Sequence, residues 1–156
     1  MNFQPVEKLE TRIAYRFYDV RQTINGTLRE RPFVAQHRAF INFGYATGRE
    51  EDDEAQMLYD VTLQWFGKKR MPDTQTNPTG LQSRRTSPEY ILANGQVTRS
   101  FFAGFDIYLG VENLLNFRQS NPILDAANPN GSYFDSSLIW GPIYGRTAYA
   151  GLRWRI

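Results

Sequence analysis

The chain has 156 residues, a formal net charge of +2, and 41% hydrophobic and 22% charged residues. Its basic residues are scattered instead of gathered in one run, which argues against nucleic acid as a partner. Cysteine is absent, so disulfides and thiolate metal sites are excluded. No apolar stretch approaches the roughly 18 residues of a transmembrane helix. The 15% aromatic content and 12 glycines favour strands and turns over helices.

Alternation of apolar and polar residues predicts an all-β, antiparallel fold. In the first strand Ile13, Tyr15 and Phe17 fall on one face, while Arg12 and Arg16 fall on the other. The same period of two recurs along the chain. The six predicted strands are 9–20, 37–47, 56–66, 89–99, 105–112 and 146–156.

Strand length and loop length both favour a membrane-spanning sheet. Strands of about 9 to 11 residues suit a tilted transmembrane strand, whereas strands of soluble sheets usually have about 5 to 6. The predicted connections 21–36, 67–88 and 114–145 are long, and 48–55 and 100–104 are short. This alternation is typical of outer-membrane barrels, with long extracellular loops and short periplasmic turns, and predicts both chain ends on the periplasmic side.

Arginine fixes which face would meet lipid, because an arginine at the bilayer midplane costs about 2 to 4 kcal/mol. Arg12, Arg16 and Arg153 are therefore expected to face inward, with Leu152 among the lipid-facing residues. Arg99 shares a face with apolar residues, but it lies at a strand end and is interpreted as an interfacial anchor. Rings near strand ends are expected to form two aromatic girdles: Tyr45, Trp65, Phe101, Phe102, Phe105 and Trp154. The alternative is ordinary core packing of the same apolar faces.

Six strands are too few for a closed barrel. Bacterial single-chain barrels begin at about 8 strands, and a sheet left open has two long unpaired edges that folded proteins avoid. The prediction is therefore the C-terminal portion of a larger barrel, with further strands supplied from elsewhere.

Sequence motifs near the end of the chain suggest a family. Residues 110–123 are GVENLLNFRQSNPI, residues 140–146 are WGPIYGR, and residues 149–156 are YAGLRWRI. Together they resemble the last two strands of TonB-dependent receptors, where G-x-E-N-L-x-N, a long loop with N-P, and G-R-x-x-Y-x-G-L-R occur in that order. The segment from Asp19 to Tyr45 is similar to earlier barrel strands of the family.

The resemblance implies that residues 1–156 are the C-terminal segment of a barrel of roughly 22 strands in the bacterial outer membrane. It also implies active, TonB-dependent uptake of a siderophore, cobalamin or glycan-type substrate. The implied partners are outer-membrane lipid, the remaining barrel strands, an N-terminal plug that contacts TonB, and the barrel assembly machinery. One departure is the terminal residue, Ile156, where barrels of this class usually end in an aromatic residue.

No enzyme, cofactor or metal site is predicted. His37 is the only histidine, and no serine has a G-x-S-x-G context or an evident base. The acidic run at 50–54 lacks the glycine and spaced ligands of a calcium loop and is interpreted as a hydrated turn.

Ligand contacts, if this segment makes them, are expected in the long loops. Arg84 and Arg85 suit an anionic ligand, and Tyr133, Phe134 and Trp140 suit stacking on an apolar or sugar surface. The alternative is that these side chains pack the loops against one another. Two other functional classes stay open: a passive porin or other outer-membrane barrel, and a soluble β-rich binding module.

Overall fold

A computed structural model of the chain describes residues 1–47, 55–101 and 104–154. The described residues form nine strands: β1 (Asn2–Val6), β2 (Leu9–Phe17), β3 (Arg21–Ile24), β4 (Thr27–Glu30), β5 (His37–Ala46), β6 (Gln56–Phe66), β7 (Tyr90–Ser100), β8 (Phe105–Glu112) and β9 (Thr147–Trp154). The all-β, antiparallel prediction is confirmed. All six predicted strands are present, as β2 and β5 to β9.

Seven strands form one sheet in the order β1-β2-β5-β6-β7-β8-β9. Neighbouring strands of this sheet are all antiparallel, and the pairings β2–β5, β5–β6, β6–β7, β7–β8 and β8–β9 have no bulge. The remaining two strands, β3 and β4, form a hairpin inside the connection from β2 to β5. Its turn is Asn25-Gly26, and both residues have positive φ (50° and 76°), as a two-residue hairpin turn requires.

Strand β1 was not expected from the sequence, and it changes the position of the N-terminus. Asn2 is paired with Arg12, and the Met1 amino group donates a hydrogen bond to the Ile13 carbonyl at 2.9 Å. Met1 therefore lies beside the middle of β2, and the prediction of both ends at the short-turn side is wrong for this end. Within the described residues the sheet does not close, because β1 and β9 each pair along one edge only.

The connections segregate by length. Residues 18–36, 67–89 and 113–146 leave one end of the sheet, which we call the long-loop end. The β1–β2 turn, the end of β5, the start of β6, the end of β7 and the start of β8 lie at the other, short-turn end. No helix in the described part of the chain is long and apolar enough to cross a membrane.

Apolar burial is concentrated under the loops, not between layers of a sandwich. The buried apolar residues are Ala35, Met71, Tyr90, Ala93 and Leu138. Three of them belong to loops, and Tyr90 begins β7 at the long-loop end. The sheet therefore has no second layer among the described residues that covers its apolar side.

Candidate functional site

One face of the sheet is apolar across every strand from β2 to β9. The registers place Ile13 opposite Ile41, Ile41 opposite Leu63, and Leu63 opposite Ala93. Because side chains alternate along a strand, these residues share one side of the sheet. We call this side the apolar face. Its members are Leu9, Ile13, Tyr15, Phe17, Ala39, Ile41, Phe43, Tyr45, Met57, Tyr59, Val61, Leu63, Trp65, Ile91, Ala93, Val97, Phe105, Ile107, Leu109, Val111, Ala148, Ala150, Leu152 and Trp154.

The apolar face is open to its surroundings. Large side chains along its whole width are 37% to 72% exposed, from Tyr15 in β2 to Trp154 in β9. Those exposed are Ile13, Tyr15, Phe17, Tyr45, Tyr59, Val61, Leu63, Ile91, Val97, Ile107, Leu109, Leu152 and Trp154. Soluble monomers rarely expose a contiguous apolar patch of more than a few hundred Å². The face thus has the character of a surface that meets an apolar environment or partner.

The opposite side, the polar face, holds all charged residues of the described strands of the seven-stranded sheet except Arg99, and some of its polar side chains form hydrogen bonds to neighbouring strands. Asn42 donates hydrogen bonds to Asp60 (2.8 Å) and to Thr62 (2.9 Å). Arg38 donates to Gln64 at 2.7 Å. Such side-chain bonds between neighbouring strands keep the polar groups solvated or paired without a covering layer.

Near the short-turn end of the polar face, Asp106 is 1% exposed, and Arg153 of the next strand forms an ion pair with it at 3.7 Å. The prediction that Arg12, Arg16 and Arg153 lie on the side opposite the apolar residues is confirmed by the register.

Two tyrosines cover two glycines where β8 pairs with β9. Tyr149 is opposite Gly110, and Tyr108 is opposite Gly151. A Cβ added to Gly110 would lie 2.2 Å from the Tyr149 ring, and one added to Gly151 would lie 2.2 Å from the Tyr108 hydroxyl. Tyr149 passes over Gly110 and its hydroxyl donates to Gln96 of β7 at 3.0 Å. These reciprocal pairs fix the register of the last two strands on the polar face.

The motif that follows β8 forms a tight turn around Asn113. This residue has a positive φ of 52° and is 7% exposed. Its side-chain amide donates to the Phe117 carbonyl at 2.8 Å, and its side-chain oxygen accepts from the Phe117 amide at 3.0 Å. Asn116, also at positive φ, accepts a hydrogen bond from the Arg146 amide at 3.2 Å. The two asparagines of E-N-L-x-N therefore join the start and the end of the last loop.

An aromatic stack anchors the loops to the long-loop end of the polar face. Tyr90 lies between Phe66 and Phe117, with ring centroids 4.8 Å away on each side and interplanar angles of 13° and 3°. Trp140 contacts the same cluster, 5.8 Å from Tyr90. Offset stacking of this kind adds about 0.5 to 1.5 kcal/mol per pair beyond area burial. The last loop is therefore packed onto β6 and β7.

Lys69 ties this aromatic cluster together. Its ammonium donates to the Tyr90 hydroxyl at 3.1 Å and to the Trp140 carbonyl. Burial lowers the pKa of Lys69 below its ordinary value of 10.5, and the positive charge of Arg38 lowers it further. Burial in this cluster thus disfavours the charged form of Lys69 relative to water.

Gln119 connects two segments of the last loop. Its side-chain oxygen accepts from the Trp140 amide at 2.8 Å and from the Gly141 amide at 3.1 Å. Its side-chain nitrogen donates to the Leu138 carbonyl at 2.9 Å. Three hydrogen bonds to backbone groups thus hold a side chain that is only 6% exposed.

A cleft of about 520 Å³ lies between the loop that follows β6 and the loop that follows β8. Arg84 and Trp140, two of the five predicted ligand contacts, line it together with Arg118. The structure does not bring the other three, Arg85, Tyr133 and Phe134, into the lining. Tyr133 is 41% exposed near the loop tip. Trp140 also packs in the aromatic cluster, as the loop-packing alternative predicted for it.

His37 lies on the apolar face at its long-loop end. Its ring is 5.1 Å from Phe17, and its Nδ1 is 2.6 Å from the Tyr15 hydroxyl. Among the described residues no group of three or more metal-ligating side chains occurs. The acidic run at 50–54, Phe102 and Ile156 lie outside the described residues.

Comparisons of the chain with protein-family models, curated proteins and solved structures find no match.

Three residues organise the loops without a recognisable signal in the sequence: Lys69, Tyr90 and Gln119. Tyr90 begins a strand in which alternation is weak, and Lys69 stands in a loop beside another lysine, where a solvated charge is the normal expectation. Gln119 carries no signal of its own, because its partners are backbone groups about twenty residues away.

Proposed function

We propose that this chain is the C-terminal segment of an outer-membrane β-barrel of the TonB-dependent receptor type, acting in active uptake. The observation on which the proposal rests is the apolar face, which is continuous in register through six strands and has exposed large side chains on every one of them. Lipid is the environment that suits such a face, since an outward apolar band and an inward polar surface define a transmembrane barrel.

Strand lengths and loop placement support the same proposal. Strands β6 and β7 have 11 residues each and β5 has 10, close to the length of about 9 to 11 that a tilted transmembrane strand needs. The long connections share one end of the sheet, as extracellular loops do. Under this proposal the short-turn end is periplasmic.

The open edges of the sheet support a larger assembly. Strands β1 and β9 each present an unpaired side among the described residues. Long unpaired edges promote aggregation, and closing a barrel removes them. The proposed partners at these edges are further strands of the same barrel.

The receptor assignment rests on the motifs of the last two strands. Asn113 and Asn116 of E-N-L-x-N both adopt positive φ and join the loop ends, and Tyr149 of the final motif covers Gly110. The motif residues thus have structural reasons to occur together. Uptake of a siderophore, cobalamin or glycan-type substrate, a plug over the polar face, contact with TonB and delivery by the barrel assembly machinery are the remaining parts of the proposal.

Partitioning tests the membrane part of the proposal. The chain is refolded with and without neutral detergent, and its β content is followed by circular dichroism. We expect a β-rich protein in micelles and aggregation in buffer. A monomer that folds cooperatively in buffer would overturn the proposal and favour the soluble binding module.

The passive porin is the second candidate, and ion conductance separates it from the receptor. A whole barrel that contains these strands is placed in a planar bilayer. A plug-filled receptor is expected to show no steady conductance, whereas an open porin conducts continuously.

A further inference from the structure

Arg99 is the one charged side chain on the apolar face among the described strand residues. The register places it between Met57 of β6 and Ile107 of β8, and it is exposed. The other charged residues of the sheet lie on the polar face: Glu10, Arg12, Arg16, Arg38, Asp60, Asp106, Glu112 and Arg153. A charged residue at this position therefore differs from the pattern of the sheet and calls for an explanation in terms of what the charge contacts.

The guanidinium of Arg99 lies at an aromatic row near the short-turn end. Its Cζ is 5.2 Å from the centroid of the Phe101 ring. Phe101 is 5.8 Å from Phe105, and Phe105 is 6.1 Å from Trp154. None of the ion pairs between described residues includes Arg99. The cation of Arg99 therefore contacts an aromatic ring at the margin of the apolar face.

We propose that Arg99, seated on Phe101, binds the phosphate group of a membrane phospholipid in the leaflet at the short-turn end. This inference rests on the proposed membrane location. A guanidinium next to hydrocarbon needs an anionic partner, and its planar donors match phosphate oxygens in pairs. The carbon stem of Arg99 lies among apolar neighbours while the cation, 5.2 Å from the centroid of the Phe101 ring, reaches the headgroups.

Native mass spectrometry of the full chain in neutral detergent tests the site. The probes are a phospholipid and a diacylglycerol with the same acyl chains and no phosphate. Three variants are compared with the wild type: Arg99→Gln, Arg99→Lys and Arg16→Gln. Arg16 is the matched control, because its Cζ lies 4.0 Å from the ring of Tyr18, also two residues on, but on the polar face.

We expect Arg99→Gln to weaken phospholipid binding about tenfold, the effect of removing a charge-assisted hydrogen bond. Arg99→Lys should retain part of the affinity, since it keeps the charge without the paired donors. Arg16→Gln should bind phospholipid like the wild type, and diacylglycerol binding should be equal in all four proteins.

Equal phospholipid binding by Arg99→Gln and the wild type would overturn the inference while the membrane proposal stands. Displacement of the phospholipid by millimolar inorganic phosphate would also overturn it, because the site would then recognise free phosphate. A chain that stays soluble and folded without detergent would remove the membrane proposal and this inference with it.

Discussion

The two faces of the sheet share one backbone and differ in what covers them. The chain's own loops cover part of the polar face, and Tyr90 beneath them is only 7% exposed. The apolar face is covered much less: Ala93 on it is buried, but Leu152 is 68% exposed. A soluble fold would do the reverse, since burial of apolar area is the main favourable term in folding. The difference is the one that the proposed membrane location requires.

Tyr90→Ala should produce the largest effect, because it removes the centre of the stack that holds the loops on the polar face. Truncating a large buried ring costs about 3 to 5 kcal/mol. We expect the last loop to detach, so that limited proteolysis cuts within 113–146 much faster than in the wild type. The control is Tyr133→Ala at an exposed ring of the same loop. Equal protease resistance in Tyr90→Ala and the wild type would show that the aromatic stack does not hold the last loop on the polar face.

Val61→Arg tests directly whether the apolar face lies in an apolar environment. Val61 lies between Phe43 and Gly95 near the middle of the sheet and is 41% exposed. An arginine at the bilayer midplane costs about 2 to 4 kcal/mol, so the free energy of unfolding in lipid vesicles should fall by that amount. Thr62→Arg, one residue along on the polar face beside Asp60, should change it little. Equal losses in the two variants would mean that the faces do not differ in environment.

Gly110→Ala tests the packing that locks β9 onto the polar face. A Cβ there would meet the Tyr149 ring at 2.2 Å, so the ring must move and lose its bond to Gln96. Overpacking of this kind costs about 1 to 3 kcal/mol. Gly44→Ala is the matched control on the same face, since nothing lies within 4 Å of its added Cβ. Denaturant unfolding in micelles measures both, and an equally small effect would remove the register role of the tyrosine–glycine pairs.

The pH dependence contributed by Lys69 is the smallest expected effect. Its pKa in the folded protein lies below the ordinary 10.5, so the unfolded chain binds more protons in the interval between the two values. The contribution of Lys69 to the stability of the loop cluster should therefore rise with pH through that interval and level off above about 10.5. Burial raises the pKa of Tyr90 above its ordinary 10.0, so the contribution of Tyr90 falls above that pH and is present in both proteins. Lys69→Met should remove this part of the slope. Proteolysis rates of the last loop, measured against pH in both proteins, check the sign, and a slope that survives in Lys69→Met would assign it to another group.

The sheet was predictable from the sequence because its signal is local. Alternation of residues such as Ile13 with Arg12 fixes both the strand and its face, and all six predicted strands are present. Strand β1 was missed because five residues that include Pro5 carry too little alternation. The extension of the first strand to Val20 was too long, since β2 ends at Phe17.

The loops were much less predictable, because their contacts join residues distant in sequence. Arg84 and Trp140 line a cleft, yet Arg85, next to one of them, is outside its lining. In a loop, unlike in a strand, the direction of the side chains does not alternate regularly, so it cannot be predicted from residue spacing. Lys69 and Trp140 are 71 positions apart and meet only once the loops have folded. The sequence gives no local mark of such a contact.

Residue-by-residue accessibility along β6 is the most direct test of the account. The chain has no cysteine, so single cysteines at positions 57 to 65 can each carry a spin label in lipid vesicles, with oxygen and a water-soluble nickel chelate as the two relaxing agents. We predict a period of two, with oxygen favoured at Met57, Tyr59, Val61, Leu63 and Trp65. Access of the nickel chelate to these five positions, equal to that at 58, 60, 62 and 64, would contradict the claim that the apolar face meets lipid.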